Sequence, residues 1–307
     1  VLNPEDEACL TALAFAELAI EAGLPAGALN VVPGLGSEAG AALSAHPGIQ
    51  HISFTGSVAT GAAVQKAAGD NVIPVTLELG GKGPQLVFED ADLDAALPFL
   101  VNAGLQNAGQ TCSASSRILV QRSIWDELTR RMAVAYESKR VGNAMDDLDL
   151  GPLINATQKR RVEGFLEKGT DLPVLARGAL VDDLPEGGNY VCPTLYGPVA
   201  PDHALAQQEI FGPVQVVIPF DTEAEAIAIA NGTEYGLTSG VWTRDGARQM
   251  RLARAIKSGQ IYINNYGAGG GVELPFGGIG KSGHGREKGF DALYGFSVLK
   301  TIAAYHG

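Results

Sequence analysis

Apolar runs typical of buried strands alternate with helical patterns along most of this chain, and no other feature constrains the fold as strongly. Residues 25–80 contain, in order, ALNVVPG, SEAGAALSAH, IQHISFTG, SVATGAAVQKAAG and VIPVTLELG, in which strand and helix patterns take turns. Strands that alternate with helices in this way form parallel βαβ units. The alternation therefore predicts an α/β fold built on parallel sheets.

The same alternation resumes on a larger scale after residue 80 and continues to about residue 282. Its strand patterns are GPQLVFED, RILVQ, VQVVIPF, GVWTR and QIYINN, and helical patterns lie between them. The final run SVLKTIAAYH is β-like, and a lone strand at a chain end usually pairs with another element. We therefore predict domains at 1–80 and 81–282, followed by a segment at 283–307 that returns to the first domain and ends in an oligomerisation strand.

The beginning of the chain suggests a missing element. The first helical pattern, residues 5–22, has no strand pattern in front of it, and the chain has no initiating methionine. Because a βαβ unit begins with a strand, we expect the strand that feeds this helix to lie upstream of Val1. The 307 residues are therefore expected to be the C-terminal portion of a longer protein.

Composition and charge disfavour several classes of function. The formal net charge of −12 disfavours nonspecific binding to DNA or to anionic lipid. There is no apolar run of membrane-spanning length, and the N-terminus does not resemble a signal peptide. The three cysteines and five histidines are scattered, so neither a disulfide framework nor a metal site is expected. We expect a cytoplasmic protein without a nucleic-acid or membrane partner.

One cysteine lies in a setting that is unusual for a packing residue. Cys112 lies in NAGQTCSASSR, where small and polar neighbours leave the sulfur reachable and Gly109 lets the backbone approach a ligand. A thiolate here could attack a carbonyl group while backbone N–H groups hold the resulting oxyanion. The structural alternative is a small buried side chain. That alternative fits Cys9, in a helical stripe, and Cys192, before a proline, better than it fits Cys112.

A glutamate at the end of a buried strand is the second candidate for chemistry. Glu78 closes the apolar run of VTLELGGKGP, and burying its charge is costly. It could be a general base whose pKa is raised toward neutrality by burial. The structural alternative is a strand-end carboxylate that accepts hydrogen bonds from the N–H groups of Gly80 and Gly81.

Two glycine-containing turns precede helices. SFTGSVATG and VVPGLGSEAG could each place a phosphate at a helix N-terminus. Neither has the spacing of a dinucleotide-binding GxGxxG motif, so both are also compatible with ordinary turns between strand and helix.

A set of motifs, in order along the whole chain, resembles the NAD(P)-dependent aldehyde dehydrogenase superfamily. The motifs are NPEDEACLTAL, GLPAGALNVVPG, ISFTGSVATG, LELGGKGP, NAGQTCSASSR, QEIFGPV and PFGGIGKSGHGRE. The glutamate and cysteine motifs lie 34 positions apart (112 − 78), as in that family. The resemblance implies a Rossmann-like cofactor domain, of which this chain holds the second half, and an α/β catalytic domain.

The resemblance also implies roles for individual residues. Cys112 corresponds to the nucleophile and Glu78 to the base, with NAD or NADP as the cofactor and a small aldehyde as the substrate. The residues implied in cofactor binding are Phe54, Thr55, Gly56, Ser57, Leu79, Gly80, Gln158, Glu209 and Phe211. The residues expected near the substrate are Thr111, Ser113, Tyr266 and Phe276. Members of the family associate, so a homodimer or homotetramer is expected.

Three departures from the family pattern leave the cofactor preference and the aldehyde open. Asn3 stands where many relatives have a lysine that contacts the adenosine ribose, and Gly83 replaces the usual serine, asparagine or alanine. The loop 267–271, GAGGG, is bare where many relatives carry a side chain into the substrate tunnel. The family's first cofactor-domain half, with the asparagine that donates to the oxyanion, has no counterpart here. Residues 1–307 alone are therefore expected to be inactive.

Two other functions are compatible with the same motifs. An acylating aldehyde dehydrogenase would release the thioester to coenzyme A, but that type generally lacks the motif glutamate that Glu78 matches. A non-catalytic family member would keep the fold for a structural role, which the presence of both Cys112 and Glu78 makes less attractive. Thiol-dependent aldehyde oxidation distinguishes an enzyme from a structural protein.

Overall fold

A computed structural model describes residues 1–267 and 271–307. Most of the predicted loop 267–271 therefore lies outside the described residues. The chain divides into two units, Val1–Thr76 and Leu77–Gly307. This division falls four residues before the domain boundary expected after residue 80.

The first unit contains short helices and one complete strand. Its helices and strand are α1 (Cys9–Glu21), α2 (Ala41–Ser44, preceded by a π-helical turn at Gly36–Gly40), β1 (Ile52–Thr55) and α3 (Val58–Asp70). The predicted strand ALNVVPG is reduced to one parallel bridge between Leu2 and Val31. Pro33 follows two residues later, and a proline has no N–H with which to extend a ladder.

A buried strand leads from the first unit into the second. This strand, β2 (Val75–Glu78), is buried at every position and ends at the predicted base. Its last residues, Leu77 and Glu78, lie opposite the antiparallel strand β14 (Gly283–His284). The end of the β-strand that carries Glu78 is thus paired with a segment from near the C-terminus of the chain.

The second unit is built around a seven-stranded sheet in the order β12-β11-β3-β4-β9-β8-β6. Every neighbouring pair in it is parallel except β6 and β8. The strands of this unit are β3 (Pro84–Val87), β4 (Arg117–Gln121), β5 (Arg140–Val141), β6 (Val174–Arg177), β7 (Ala179–Leu180), β8 (Thr194–Tyr196), β9 (Val214–Phe220), β10 (Tyr235–Gly236), β11 (Thr238–Trp242), β12 (Gln260–Ile263), β13 (Ile279–Gly280) and β14. The mixed α/β fold with parallel strands that the sequence predicts is confirmed.

Helices connect these strands and cover the sheet. They are α4 (Leu93–Leu105), α5 (Trp125–Glu137), α6 (Ala156–Lys168), α7 (Ala204–Gln207), α8 (Glu223–Ala230), α9 (Gly246–Ala255) and α10 (Asp291–Gly295). Several begin at a side chain that accepts a backbone N–H, for example Asp92 before α4 and Asn155 before α6. The central strand β4 is fully buried at Ile118, Leu119 and Val120, as expected for a parallel sheet covered on both faces.

The end of the chain is not paired within the described part of this single chain. Residues 297–307, which include the predicted oligomerisation strand, belong to no helix or strand. A strand requires a neighbour for its backbone N–H and C=O groups, and the neighbour predicted for this segment is a second subunit. Its apolar side chains are exposed, among them Val298, Leu299, Ile302 and Tyr305. Within residues 1–267 and 271–307, no helix has the length and apolar character needed to cross a membrane.

Candidate active site

Glu78 is a buried carboxyl group at the end of β2, with only 2% of its surface exposed. Neither carboxylate oxygen has a hydrogen-bond partner among the described residues. Its pKa is raised to about 8, chiefly by burial and also by the charge of Glu287, while Arg286 and Lys288 oppose the shift. The alternative of a carboxylate capped by the glycine N–H groups is not seen, because the Gly81 N–H donates to Glu209 instead.

A left-handed turn between α4 and β4 presents Cys112. Asn107, Ala108 and Gly109 have φ values of 50°, 53° and 76°. A Cβ atom on Gly109 would lie 2.1 Å from the carbonyl oxygen of Gly212, so only glycine fits this close approach. Gly109, three residues before Cys112, therefore holds the turn against the residues just before β9.

The thiol of Cys112 is partly exposed and lies in the field of two carboxylates. Its pKa is raised to about 11, chiefly by burial and also by the charges of Glu209 and Glu78. The backbone N–H groups of Ser113 and of Cys112 itself oppose it, because they stabilise the thiolate. The structure thus brings together the predicted nucleophile, the predicted base and one residue predicted to hold the cofactor.

The glycines after β2 allow these groups to approach closely. A Cβ atom on Gly80 would lie 2.2 Å from Oε2 of Glu209, and one on Gly81 would lie 2.5 Å from the carbonyl oxygen of Cys112. The Gly81 N–H donates to Oε1 of Glu209 at 3.0 Å. The preceding residue, Leu79, is buried, and its N–H donates to the carbonyl of Ser282. The LELGG turn therefore connects the Glu209 carboxylate to the backbone of the nucleophile.

The Glu209–Phe211 turn is itself held by α6. The Gln158 side-chain amide donates to the carbonyl of Phe211 at 2.7 Å and more weakly to that of Ile210 at 3.3 Å. Arg161 donates to the carbonyl of Glu209 at 2.8 Å. Phe211 has a φ of 59°, which a bulky residue adopts only where its surroundings impose it. In this chain, the Gln158 amide is engaged with the turn that carries the other two predicted cofactor residues.

The other predicted cofactor residues form a turn in the first unit. Phe54 and Thr55 end β1, and Ser57 accepts a hydrogen bond from the N–H of Thr60 at the start of α3. A Cβ atom on Gly56 would lie 2.5 Å from the Phe54 ring, so the ring folds over the glycine. Thr55, Gly56 and Ser57 are exposed, so the N-terminus of α3 is open to a ligand in this unit.

The residues predicted near the substrate are mostly buried. Thr111 is half-buried, whereas Ser113, Tyr266 and Phe276 are exposed by only 2%, 6% and 8%. The carbonyl of Ser113 accepts a hydrogen bond from the Tyr266 hydroxyl. Phe276 exchanges backbone hydrogen bonds with Glu287, and the Lys288 ammonium lies 5.2 Å from the centre of its ring. These contacts stabilise the segments beside Cys112 and Glu78.

Two buried cations near the site do not follow from the motif analysis. Lys82 is 1% exposed, and its Nζ has no hydrogen-bond partner among the described residues. Its pKa is lowered to about 7, chiefly by burial and also by the charge of Arg117, while Glu209 opposes the shift. Arg117 is also 1% exposed and donates to three backbone carbonyls, those of Lys82, Ile229 and Ala230. The sequence signal for the burial of Arg117 is its position directly before an apolar strand run, in RILVQ.

Comparison with known proteins places this geometry in context. The chain is 41% identical over 305 residues to a betaine aldehyde dehydrogenase of Rhizobium johnstonii, covering 98% of this chain and 62% of the relative. A crystal structure of a Burkholderia cenocepacia protein described as an aldehyde dehydrogenase is 62% identical to this chain and superposes with a TM-score of 0.98. The match covers 99% of this chain and 64% of the other. An NAD⁺ complex of a Bacillus cereus aldehyde dehydrogenase is 38% identical with a TM-score of 0.93, covering 98% and 61%.

The chain spans less than two thirds of the length of these relatives, with 62% of the Rhizobium protein matched. Within that span the match is continuous. The model of the aldehyde dehydrogenase family matches residues 1–302. Matched length, structural similarity and the motif order agree, and the chain belongs to the aldehyde dehydrogenase family.

Proposed function

We propose that the protein containing this chain oxidises an aldehyde to a carboxylic acid, with NAD or NADP as the hydride acceptor. The observation that carries the proposal is the cluster of Cys112, Glu78 and Glu209 in the second unit, where both carboxylates act on the thiol. Family membership and the NAD⁺ complexes among the relatives support the choice of reaction and cofactor.

In the first step, the Cys112 thiolate attacks the aldehyde carbon and forms a thiohemiacetal. The thiol is mostly protonated at neutral pH, because its pKa is about 11. Its reactive fraction is favoured by the N–H groups of Cys112 and Ser113, which stabilise negative charge at the sulfur. The same Cys112 N–H would donate to the oxyanion as the carbonyl carbon becomes tetrahedral.

The residues around Glu209 fit a nicotinamide cofactor. Glu209 presents a carboxylate that can accept from ribose hydroxyl groups, and Gly80 and Gly81 leave room for it to approach the backbone. Phe211 lies in a turn whose backbone is held by Gln158. In the first unit, the open turn at Thr55–Ser57 before α3 suits the pyrophosphate. When bound, NAD or NADP supplies the acceptor for the hydride that leaves the thiohemiacetal carbon.

Loss of the hydride leaves a thioester on Cys112, which water must hydrolyse. Glu78 is suited to take the proton from that water, because its oxygens have no other partner among the described residues and its pKa is about 8. A base with a pKa near the working pH is the effective choice for general base catalysis. Attack of the water then releases the carboxylic acid and returns the sulfur as a thiolate. The presence of this base favours hydrolysis over transfer to coenzyme A.

The test is an assay of the full-length protein with a panel of aldehydes and with NAD⁺ and NADP⁺ supplied separately. Reduced cofactor and carboxylic acid should form in equal amounts without coenzyme A. Cys112→Ser should abolish this oxidation, whereas Cys192→Ala, a matched thiol variant outside the cluster, should retain it. Oxidation that persists in Cys112→Ser, or that requires coenzyme A, would contradict the proposal.

A further inference from the structure

The Tyr266 hydroxyl reaches the residue that follows the nucleophile. Tyr266 lies after β12, and its side chain is buried. Its hydroxyl donates to the carbonyl of Ser113 and lies 2.9 Å from the hydroxyl of Thr238. The Thr238 hydroxyl also lies 3.5 Å from the same carbonyl. The Ser113 carbonyl therefore accepts hydrogen bonds from two side chains, Thr238 in β11 and Tyr266 after β12, and not from the backbone of a neighbouring strand.

Two glycines make room for this tyrosine. A Cβ atom on Gly83 would lie 3.3 Å from the Tyr266 hydroxyl, and one on Gly240 would lie 3.2 Å from its ring. A Cβ on Gly83 would also lie 2.8 Å from the carbonyl of Thr238. Gly83 is one of the departures from the family pattern, and its lack of a side chain leaves space next to the tyrosine hydroxyl. The absence of a side chain at Gly83 thus accommodates the Tyr266 hydroxyl.

The backbone N–H and the backbone carbonyl of Ser113 each make a contact that bears on the site. Its N–H stabilises the Cys112 thiolate, and its carbonyl accepts from Tyr266. A hydrogen bond at the carbonyl holds the peptide group after Ser113 in place and so limits how far Ser113, together with its N–H, can move. Without the bond, a carbonyl that is buried with Ser113 would lack its main partner, and the turn would reorient to satisfy it.

We propose that Tyr266 is a positioning residue that orients Ser113, so that the Ser113 N–H supports the Cys112 thiolate. Tyr266 touches neither the sulfur nor the reacting carbon in this role, and it acts through Ser113. The inference rests on the proposed function only for its effect on turnover. Its effect on the thiol is measurable whatever the substrate is.

The experiment compares full-length wild type, Tyr266→Phe and Tyr262→Phe by alkylation with iodoacetamide across pH 6–10. Peptide mass spectrometry follows Cys112, Cys9 and Cys192 separately. Tyr262 is the matched control, because its ring lies 5.6 Å from that of Tyr266 while its hydroxyl donates to Gln260. Glu209 and Glu78, whose charges raise the pKa of the thiol, remain in all three proteins. The Tyr266 hydroxyl also interacts with Cys112, and burial raises the pKa of that hydroxyl above its usual value.

Tyr266→Phe should slow alkylation of Cys112 at pH 8 by about three- to tenfold, the effect of one lost hydrogen bond. The apparent pKa of the thiol should rise, while Cys9 and Cys192 react as in the wild type. Tyr262→Phe should react like the wild type at all three positions. In turnover, Tyr266→Phe should lower kcat with little change in KM for the aldehyde.

An unchanged rate at Cys112 in Tyr266→Phe would overturn the inference. Faster alkylation of all three cysteines together would also overturn it, because it would mean that the hydroxyl merely holds the fold. If the three proteins show the expected alkylation rates but the wild type oxidises no aldehyde, the proposed function would be overturned and the role of Tyr266 would stand.

Discussion

The α-carbon of Gly81 lies directly against the carbonyl oxygen of Cys112, so that a Cβ atom at position 81 would lie 2.5 Å from that oxygen. This approach brings the turn after the predicted base against the backbone of the predicted nucleophile. The oxygen belongs to the main chain and cannot move aside as the end of a flexible side chain could. The distance between Glu78 and Cys112 therefore depends on the absence of a side chain at position 81.

Gly81→Ala should lower aldehyde oxidation by about 100-fold, since a shift of about 1 Å in a reacting group can have that effect. It should also lower the free energy of unfolding by about 1–3 kcal/mol, the usual cost of overpacking. Steady-state kinetics and urea denaturation measure the two effects.

Gly164→Ala is the matched control for this substitution. Gly164 lies within α6, and a Cβ atom there would meet nothing within 4 Å. Alanine in a helix interior should stabilise the protein by up to about 1 kcal/mol and leave activity unchanged. A Gly81→Ala protein that matches Gly164→Ala in both measurements would contradict the steric argument.

Glu78→Gln should separate the two halves of the proposed reaction. Reduced cofactor should still appear in a rapid first turnover, and later turnovers should be slower by about 10²–10⁴-fold, because hydrolysis loses its base. In the wild type, kcat should rise with pH through about 8 as the carboxyl group ionises, and the variant should lack this rise. Stopped-flow absorbance measures the burst. Loss of the burst itself would mean that Glu78 is needed to activate the thiol.

The carboxyl group of Glu78 should also make the free energy of unfolding depend on pH. Its pKa is raised from 4.5 to about 8 in the folded chain, chiefly by burial. Between these values, the folded protein retains a proton that the unfolded chain has lost, so the contribution of Glu78 to stability falls as pH rises. Glu78→Gln should therefore gain stability relative to the wild type at pH 8 and gain little at pH 4.5. Denaturation at the two pH values tests this difference, and an equal difference at both would contradict it.

Glu209→Gln should make the thiol more reactive while weakening cofactor binding. The charge of Glu209 raises the pKa of Cys112, and glutamine can still accept the hydrogen bond from Gly81. Alkylation of Cys112 at pH 8 should accelerate by roughly three- to tenfold, as expected when a nearby like charge is removed. The Kd for NAD⁺ or NADP⁺, measured by fluorescence titration, should rise. Slower alkylation would show that the carboxylate instead assists deprotonation.

The exposed C-terminal segment should be required for self-association. Phe296, Val298, Leu299 and Ile302 are at least 69% exposed in the isolated chain, and apolar patches of this kind mark interfaces. We expect the full-length protein to form at least a dimer, and removing the residues after Gly295 should yield monomers or insoluble protein. Analytical ultracentrifugation distinguishes these states. A truncated protein that is still a dimer would place the interface elsewhere.

Local patterns in the sequence predict most of the elements, because periodicity depends only on neighbouring residues. The strand RILVQ and the helix of TQKRRVEGFLEKG are found at β4 and α6. The helix expected from residue 5 begins at Cys9, and the strand expected around Val31 is a single bridge before Pro33. Neither difference alters the α/β architecture.

The candidate site is predictable only in part. The Cys112 and Glu78 motifs stand out locally, but the hydrogen bond from Gly81 to Glu209 joins residues 128 positions apart. No spacing rule predicts such a contact. The burial of Lys82 and the bond from Tyr266 to Ser113 likewise depend on how separate strands of the sheet lie beside one another.

The high pKa of the Cys112 thiol has a consequence for chemical damage. Hydrogen peroxide oxidises thiolates far faster than thiols, and because the pKa of Cys112 is raised to about 11, little of the sulfur is ionised at pH 7. The resting protein should therefore resist conversion of Cys112 to a sulfenic acid, although the residue is partly exposed. Any variant that lowers this pKa, such as Glu209→Gln, would exchange that resistance for reactivity. Burial of the thiol, with the charges of Glu209 and Glu78, should therefore protect the resting site from oxidation.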